Sequence, residues 1–152
     1  MRVFISVVVG VDAELDELSV HDVARTEDVI VSQWRDVSVD KKHKMRERVA
    51  EIVRPFGLQT RLVVIRRANS LALLFLCMTL SALTSLRDRW LTRQLVDIVQ
   101  SLFTFLSGNT DRDGCTRQVR LKRLTWPLAD YERCLEFLHY WQGNVFLASA
   151  FL

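Results

Sequence analysis

Hydrophobic and polar positions along the chain change period several times, and each change marks an element. Met1 to Val11 (MRVFISVVVGV) is β-branched and aromatic, the composition of a strand, and Gly10 is its expected end. From Lys41 to Arg54, after Asp40 as a capping residue, Met45, Val49, Ile52 and Val53 line one face of a helix that Pro55 and Gly57 close. Leu58 to Ile65 (LQTRLVVI) alternates and then turns apolar, RRANS supplies a polar turn, and Leu71 to Met78 is apolar at every position. The two runs read as a hairpin whose second strand, apolar on both faces, belongs in the middle of a sheet.

The nineteen residues from Ala68 to Leu86, ANSLALLFLCMTLSALTSL, carry no charge. As one helix they would reach about 28 Å, close to the roughly 30 Å of a hydrocarbon layer. Asn69, Ser70, Thr79, Ser81, Thr84 and Ser85 leave only Leu71 to Met78 densely apolar, which is strand length and too short to span. Beyond it, Leu80, Leu83, Leu86, Trp90 or Leu91, Leu95, Ile98, Leu102 and Phe105 recur at helical spacing, with Arg87, Asp88, Arg89, Arg93 and Asp97 between them. The run therefore splits near Met78 and Thr79 into a buried strand and one long amphipathic helix. Ser85 and Asp88, at capping-box spacing, place the main part of that helix from Leu86.

Residues 12–40 read as an acidic loop or insertion, with VIVSQW as a short strand inside it. SGNTDRDG is a loop by composition. TRQVRLKRL is a strand with Val119 and Leu121 opposite Arg120 and Lys122, and Pro127 opens a helix whose stripe is Leu128, Tyr131, Leu135, Leu138 and Trp141, ended by Gly143. The tail from 143 to 152, with its apolar NVFLASAFL, has no assigned element. This order predicts a single α+β domain over residues 1–152: a ferredoxin-like sandwich, an antiparallel four-stranded sheet with helices packed on one face.

Composition changes the picture little. A chain of 152 residues, 49% hydrophobic and 26% charged, with five Gly and two Pro, is long enough to bury a core and too apolar for disorder. The net charge of +3 is unevenly spread: residues 1–40 hold nine acids against three arginines, a net of −6, so the remainder carries +9. The acidic part either neutralises the basic body or competes with an anionic partner for it. Cys77, Cys115 and Cys134 form an odd set without C-x-x-C spacing, and the opening apolar run leads into acids with no small-residue cleavage site. A reducing, cytoplasmic setting with structural thiols follows.

Candidate chemistry is sparse. His21, His43 and His139 lie in separate segments with no second ligand at i+3 or i+4, so no metal is expected. No G-x-S-x-G or Cys-His pairing marks a nucleophile, and the five glycines are isolated, so neither a catalytic residue nor a cofactor site is assigned. The basic strand, with Arg117, Arg120, Lys122 and Arg123, offers phosphate contacts. It lacks the aromatic platforms that single-stranded bases need, and nucleic acid is not the expected partner.

The segment LRDRWLTRQLVDIVQSLFTFL, the strand VRLKRL and the closing ADYERCLEFL, with its Glu132, Arg133, Cys134 and Leu135, resemble the end of the N-terminal domain of the death-domain adaptor associated with tumour necrosis factor receptors (TRADD). Related modules stand in front of NOD-like receptor proteins. The hairpin LVVIRRANSLALLFL and the helix from Lys41 to Arg54 fall in matching order, so the resemblance spans most of residues 1–142. It implies an α/β sandwich without catalytic activity, a docking module in immune or death-receptor signalling whose partner is the C-terminal domain of a TNF-receptor-associated factor. Family contacts come from the sheet and neighbouring loops. Here the first strand offers only Phe4 as an aromatic and residues 12–40 form an acidic insertion, two departures from the pattern.

The leading expectation is thus a non-enzymatic adaptor domain that binds a protein through the helix-free face of its sheet, where Arg61, Arg120 and Lys122 are the candidate contacts. Two rivals stand beside it: a nucleic-acid-binding domain using residues 117–123, and a small membrane protein spanning at 68–86.

Overall fold

The computed structural model describes residues 5–39, 42–108 and 117–150, with side chains to residue 141. The expected cap at Asp40, the start of the first strand and most of the SGNTDRDG loop lie outside the described residues. Five helices and a four-stranded antiparallel sheet follow in the order β1 (Val7–Leu15), α1 (Val23–Ser38), α2 (His43–Val53), β2 (Thr60–Arg67), β3 (Leu71–Cys77), α3 (Leu80–Leu91), α4 (Gln94–Ser107), β4 (Leu121–Thr125) and α5 (Leu128–Ala150). The strands lie in the order β2-β3-β1-β4. This is the ferredoxin-like α+β sandwich that the sequence implies, with two helices in place of one at each crossover of the β-α-β-β-α-β frame (α1 and α2, α3 and α4) and α5 added at its end.

The uncharged run splits where its composition changes. β3 pairs antiparallel with β1 on one side and β2 on the other, Leu73 standing between Val11 and Ile65. Leu71, Leu73, Phe75 and Cys77 face the helices with no exposed surface, and Ala72, Leu74 and Leu76 face the other way. Thr79 then caps α3, its Oγ1 accepting the amide of Ala82 at 3.0 Å. The helix consequently starts at Leu80, six residues before the point that Ser85 and Asp88 suggest. Among the described residues no helix is long and apolar enough to cross a membrane.

Several expectations are corrected. Gly10 does not end the first strand, which runs through Asp12 and Glu14 to Leu15. Val7, Val9, Val11, Ala13 and Leu15 are buried, and the acids occupy the alternate, outward positions. Residues 23–38 are not a loop with a short strand but the helix α1, capped by Asp22, whose Oδ1 accepts the Arg25 amide at 3.2 Å. Its buried stripe is Glu27, Ile30, Trp34 and Val37; an acid at the first position of that stripe masks the period. The expected long helix is two, because Arg93 adopts a left-handed φ of 65° between α3 and α4. The turn lets Leu95, Ile98, Val99, Leu102, Phe103 and Leu106 of α4 reach the core from a new direction, against α1 and α2.

The strand expected from TRQVRLKRL begins later, at Leu121. Its lead-in leans on α4 instead of a strand: the amides of Val119 and Leu121 donate to Thr104 Oγ1 at 2.8 Å and Gln100 Oε1 at 2.9 Å. Pro127 does open α5, its carbonyl accepting the amides of Asp130 and Tyr131. Gly143 does not close it, since α5 continues to Ala150. The apolar tail is thus helical backbone as far as that residue.

Arg87 was expected between apolar positions, on the polar side of its helix. It is instead only 8% exposed. Its guanidinium lies 4.3 Å from the ring centre of Trp90, 5.0 Å from that of Trp126 and 5.1 Å from that of Tyr131. It also donates to the Trp126 carbonyl at 2.9 Å. The charge meets ring faces and a carbonyl dipole, and the planar group fastens α3 to the β4–α5 junction. Arg87→Ala is expected to lower unfolding free energy by about 2 to 4 kcal/mol, through lost packing, cation–π attraction and an orphaned carbonyl. Urea denaturation of Arg87→Ala and Arg87→Lys checks this, with lysine restoring less than half because it cannot stack flat.

Candidate interaction surface

The sheet face turned away from α1–α4 follows directly from strand alternation. Three rows cross it: Arg61, Leu76 and Val8; Val64, Leu74 and Gly10; then Arg66, Ala72, Asp12 and Thr125. Its middle is aliphatic. Val8 is 56% exposed and Val64 36%, Leu74 and Leu76 are half-buried, and the Leu74 side chain lies over Gly10, where an added Cβ would sit 3.6 Å from it. The margins are charged: Arg61 and Arg66 on β2, Asp12 and Glu14 on β1, Lys122 and Arg123 on β4.

The three candidate contacts do not converge. Arg61 is exposed on β2, level with Val8, whereas Lys122 is on β4 beside Glu14, at 3.7 Å. Three strand spacings across and six residues along, they stand roughly 20 to 25 Å apart at opposite corners of the face. Arg120 lies in the lead-in to β4. Its backbone holds the connection after β1, accepting the Asp16 amide at 2.8 Å and donating to Ser19 Oγ at 3.0 Å. Its side chain is exposed.

Trp141, which the sequence places on the buried stripe of the last helix, stands instead in an exposed aromatic cluster at one edge. α5 runs beside β1 and α3, with Cys134 Sγ 4.0 Å from the Val8 carbonyl and Leu138 fully buried. Beside that contact Phe137, Tyr140 and Trp141 are exposed, and the Trp141 ring meets Tyr140 edge-to-face at 5.6 Å and Phe137 at a tilt at 6.1 Å. Leu128, the first residue of the expected stripe, is also exposed. A cleft of about 450 Å³ separates Phe137 from Val8 and Gly10, so the aromatic edge adjoins the aliphatic face. The signal in the sequence is the crowding of Phe137, Tyr140 and Trp141 within five positions, which one buried stripe cannot accommodate.

Titratable groups are placed structurally. Among the described residues no three His, Cys, Asp or Glu side chains converge as a metal site. Burial pushes the Cys77 thiol up to about 11, although Thr60 hydrogen-bonds it, and raises that of Cys134 too. Both are poor nucleophiles near neutrality. Glu27 is 6% exposed and reaches Arg67 of β2 at 3.4 Å, while Arg67 also binds Asp28 at 2.8 Å. Burial raises the Glu27 carboxyl above its ordinary 4.5, the Arg67 charge opposes that rise, and Asp28 adds to it.

For a carboxyl with a raised folded-state value, the folded chain holds the proton longer than the unfolded chain, so stability falls as pH rises through that window. Relative to Glu27→Gln, the protein is expected to lose stability as pH rises from about 4.5 toward neutrality. Urea midpoints of the two proteins across that range test the sign. Brief iodoacetamide treatment at pH 7 should leave Cys77 unmodified in peptide mapping, with modification appearing only once urea unfolds the chain.

No protein-family model, curated protein or solved structure gives a significant match to this chain.

Proposed function

We propose that this is a non-enzymatic protein-interaction domain of a cytoplasmic signalling adaptor or receptor, of the TRADD N-terminal type. The observation that carries the reading is the open sheet face: an aliphatic centre of Val8, Val64, Leu74 and Leu76, a charged margin, and exposed Phe137 and Trp141 at one edge. Interfaces of this kind combine an apolar core with a polar rim and draw most of their energy from aromatics and arginines. Free Cys77 and Cys134 agree with a reducing compartment.

The nucleic-acid rival is less well supported by the same face. None of its three rows carries an aromatic on which a base could stack, Glu14 lies beside Lys122, and Asp12 would repel phosphate. The partner implied by the resemblance, the C-terminal domain of a TNF-receptor-associated factor, gives the direct test. Calorimetric titration should show saturable binding that changes little between 0.1 and 0.5 M salt and weakens at least tenfold in Val8→Glu, a change at an exposed position. Absence of binding to that domain, together with oligonucleotide affinity that falls steeply with salt, would transfer the function to nucleic acid.

A further inference from the structure

A second concave site lies at the opposite edge of the sheet, where the start of β2 meets α1, α2 and the 3-10 turn Arg54–Phe56. It is an open cleft of about 650 Å³, within the range of about 300 to 1,000 Å³ that holds small organic ligands. Trp34, Val53, Phe56 and Leu62 make its wall. At its mouth Leu58 is 95% and Met78 37% exposed, apolar surface that nothing in the fold covers.

One feature gives the cleft a chemical preference. Among the described residues, the only charged ones lining it are Arg54 and Arg61, both exposed. Among the described residues neither side chain has a carboxylate partner, unlike Arg48, Arg67 and Arg133, which bind Glu51, Asp28 and Asp130. Trp34, 9% exposed, contributes its ring to the wall, so its indole resonance reports on what enters the cleft.

An apolar wall, an uncovered apolar mouth and two unpaired guanidiniums fit one class of molecule. We propose that this cleft binds an amphipathic organic carboxylate, its hydrocarbon body along Phe56 and Leu62 and its carboxylate held between Arg54 and Arg61. Arginine suits the head group because its planar fork pairs with both carboxylate oxygens. Gly57, at a φ of 82° with open space around it, turns the chain between the 3-10 helix and Leu58. That turn places Leu58 at the mouth, where it covers the hydrocarbon chain. The site shares Arg61 with the charged margin of the open face and uses none of its aliphatic centre.

Decanoate, decanol and butyrate, titrated into the full chain below micelle formation and followed by calorimetry and by the indole N–H resonances, test the proposal. Decanoate is expected to bind at one site at least tenfold more tightly than decanol, and butyrate not measurably. The Trp34 indole resonance, identified through Trp34→Phe, should shift, while that of Trp126, whose Nε1 is also buried without an acceptor but which lies outside this cleft, should stay. The double variant Arg54→Gln/Arg61→Gln changes only exposed side chains and should bring decanoate down to the affinity of decanol, leaving decanol binding unchanged. Equal affinity for decanoate and decanol, undiminished decanoate binding by the double variant, or an unmoved Trp34 resonance would each overturn it.

Discussion

Seven consecutive apolar residues, Leu71 to Cys77, hydrogen-bond laterally to β1 and β2 at once, and the rest of the molecule is arranged around that fact. A strand paired on both sides sits in the middle of the sheet, and because this one is apolar at every position it presents apolar surface on both faces. One face is covered by α1, α3 and α4. The other remains open, because the helices of a β-α-β-β-α-β frame all fall on one side of the sheet. The same strand that holds the core together therefore produces the aliphatic surface proposed as the docking face.

The helical layer is held by two different devices. Arg67 reaches from the end of β2 to Glu27 and Asp28 of α1, an ion pair with one partner buried and one in solvent. Arg87 works without an acid: three rings and a carbonyl satisfy it where α3, β4 and α5 meet. In low dielectric such a guanidinium is tolerated because it is weakly hydrated and planar, whereas an ammonium in its place would lose more solvation than the rings return. The aromatics near it are thereby committed to structure. Those further along α5, Phe137, Tyr140 and Trp141, are exposed.

The two concave regions differ in chemistry as well as position. Beside β1 the cleft joins an aliphatic face to an aromatic edge, and its Arg133 is neutralised by Asp130. Beside β2 the cleft is apolar with unpaired cations. Charge that is already paired within the fold has little to gain from a ligand, and charge left unpaired next to apolar surface has more. That contrast separates a surface suited to protein contact from a site suited to a small anion.

Local pattern determined the elements whose burial is simple. The helix ending at Pro55 and Gly57, the hairpin on either side of RRANS, the central place of Leu71 to Cys77 and the opening of α5 at Pro127 all follow from alternation, helical spacing and turn residues. So does the sandwich itself, since that order of elements has few compact solutions. The residues that broke the pattern were those whose partners are distant in sequence: Glu27 disguises α1 because its charge is answered from β2, and Arg87 looks solvent-facing because its rings come from Trp126 and Tyr131. Arg61, Arg120 and Lys122 could be read as exposed, but not as separated, because the distance between two outer strands is set by the strands between them. Which aromatics of α5 are buried was likewise decided by where the sheet ends. Periodicity records which face of an element is apolar; only packing in three dimensions decides how far along the element that face is covered.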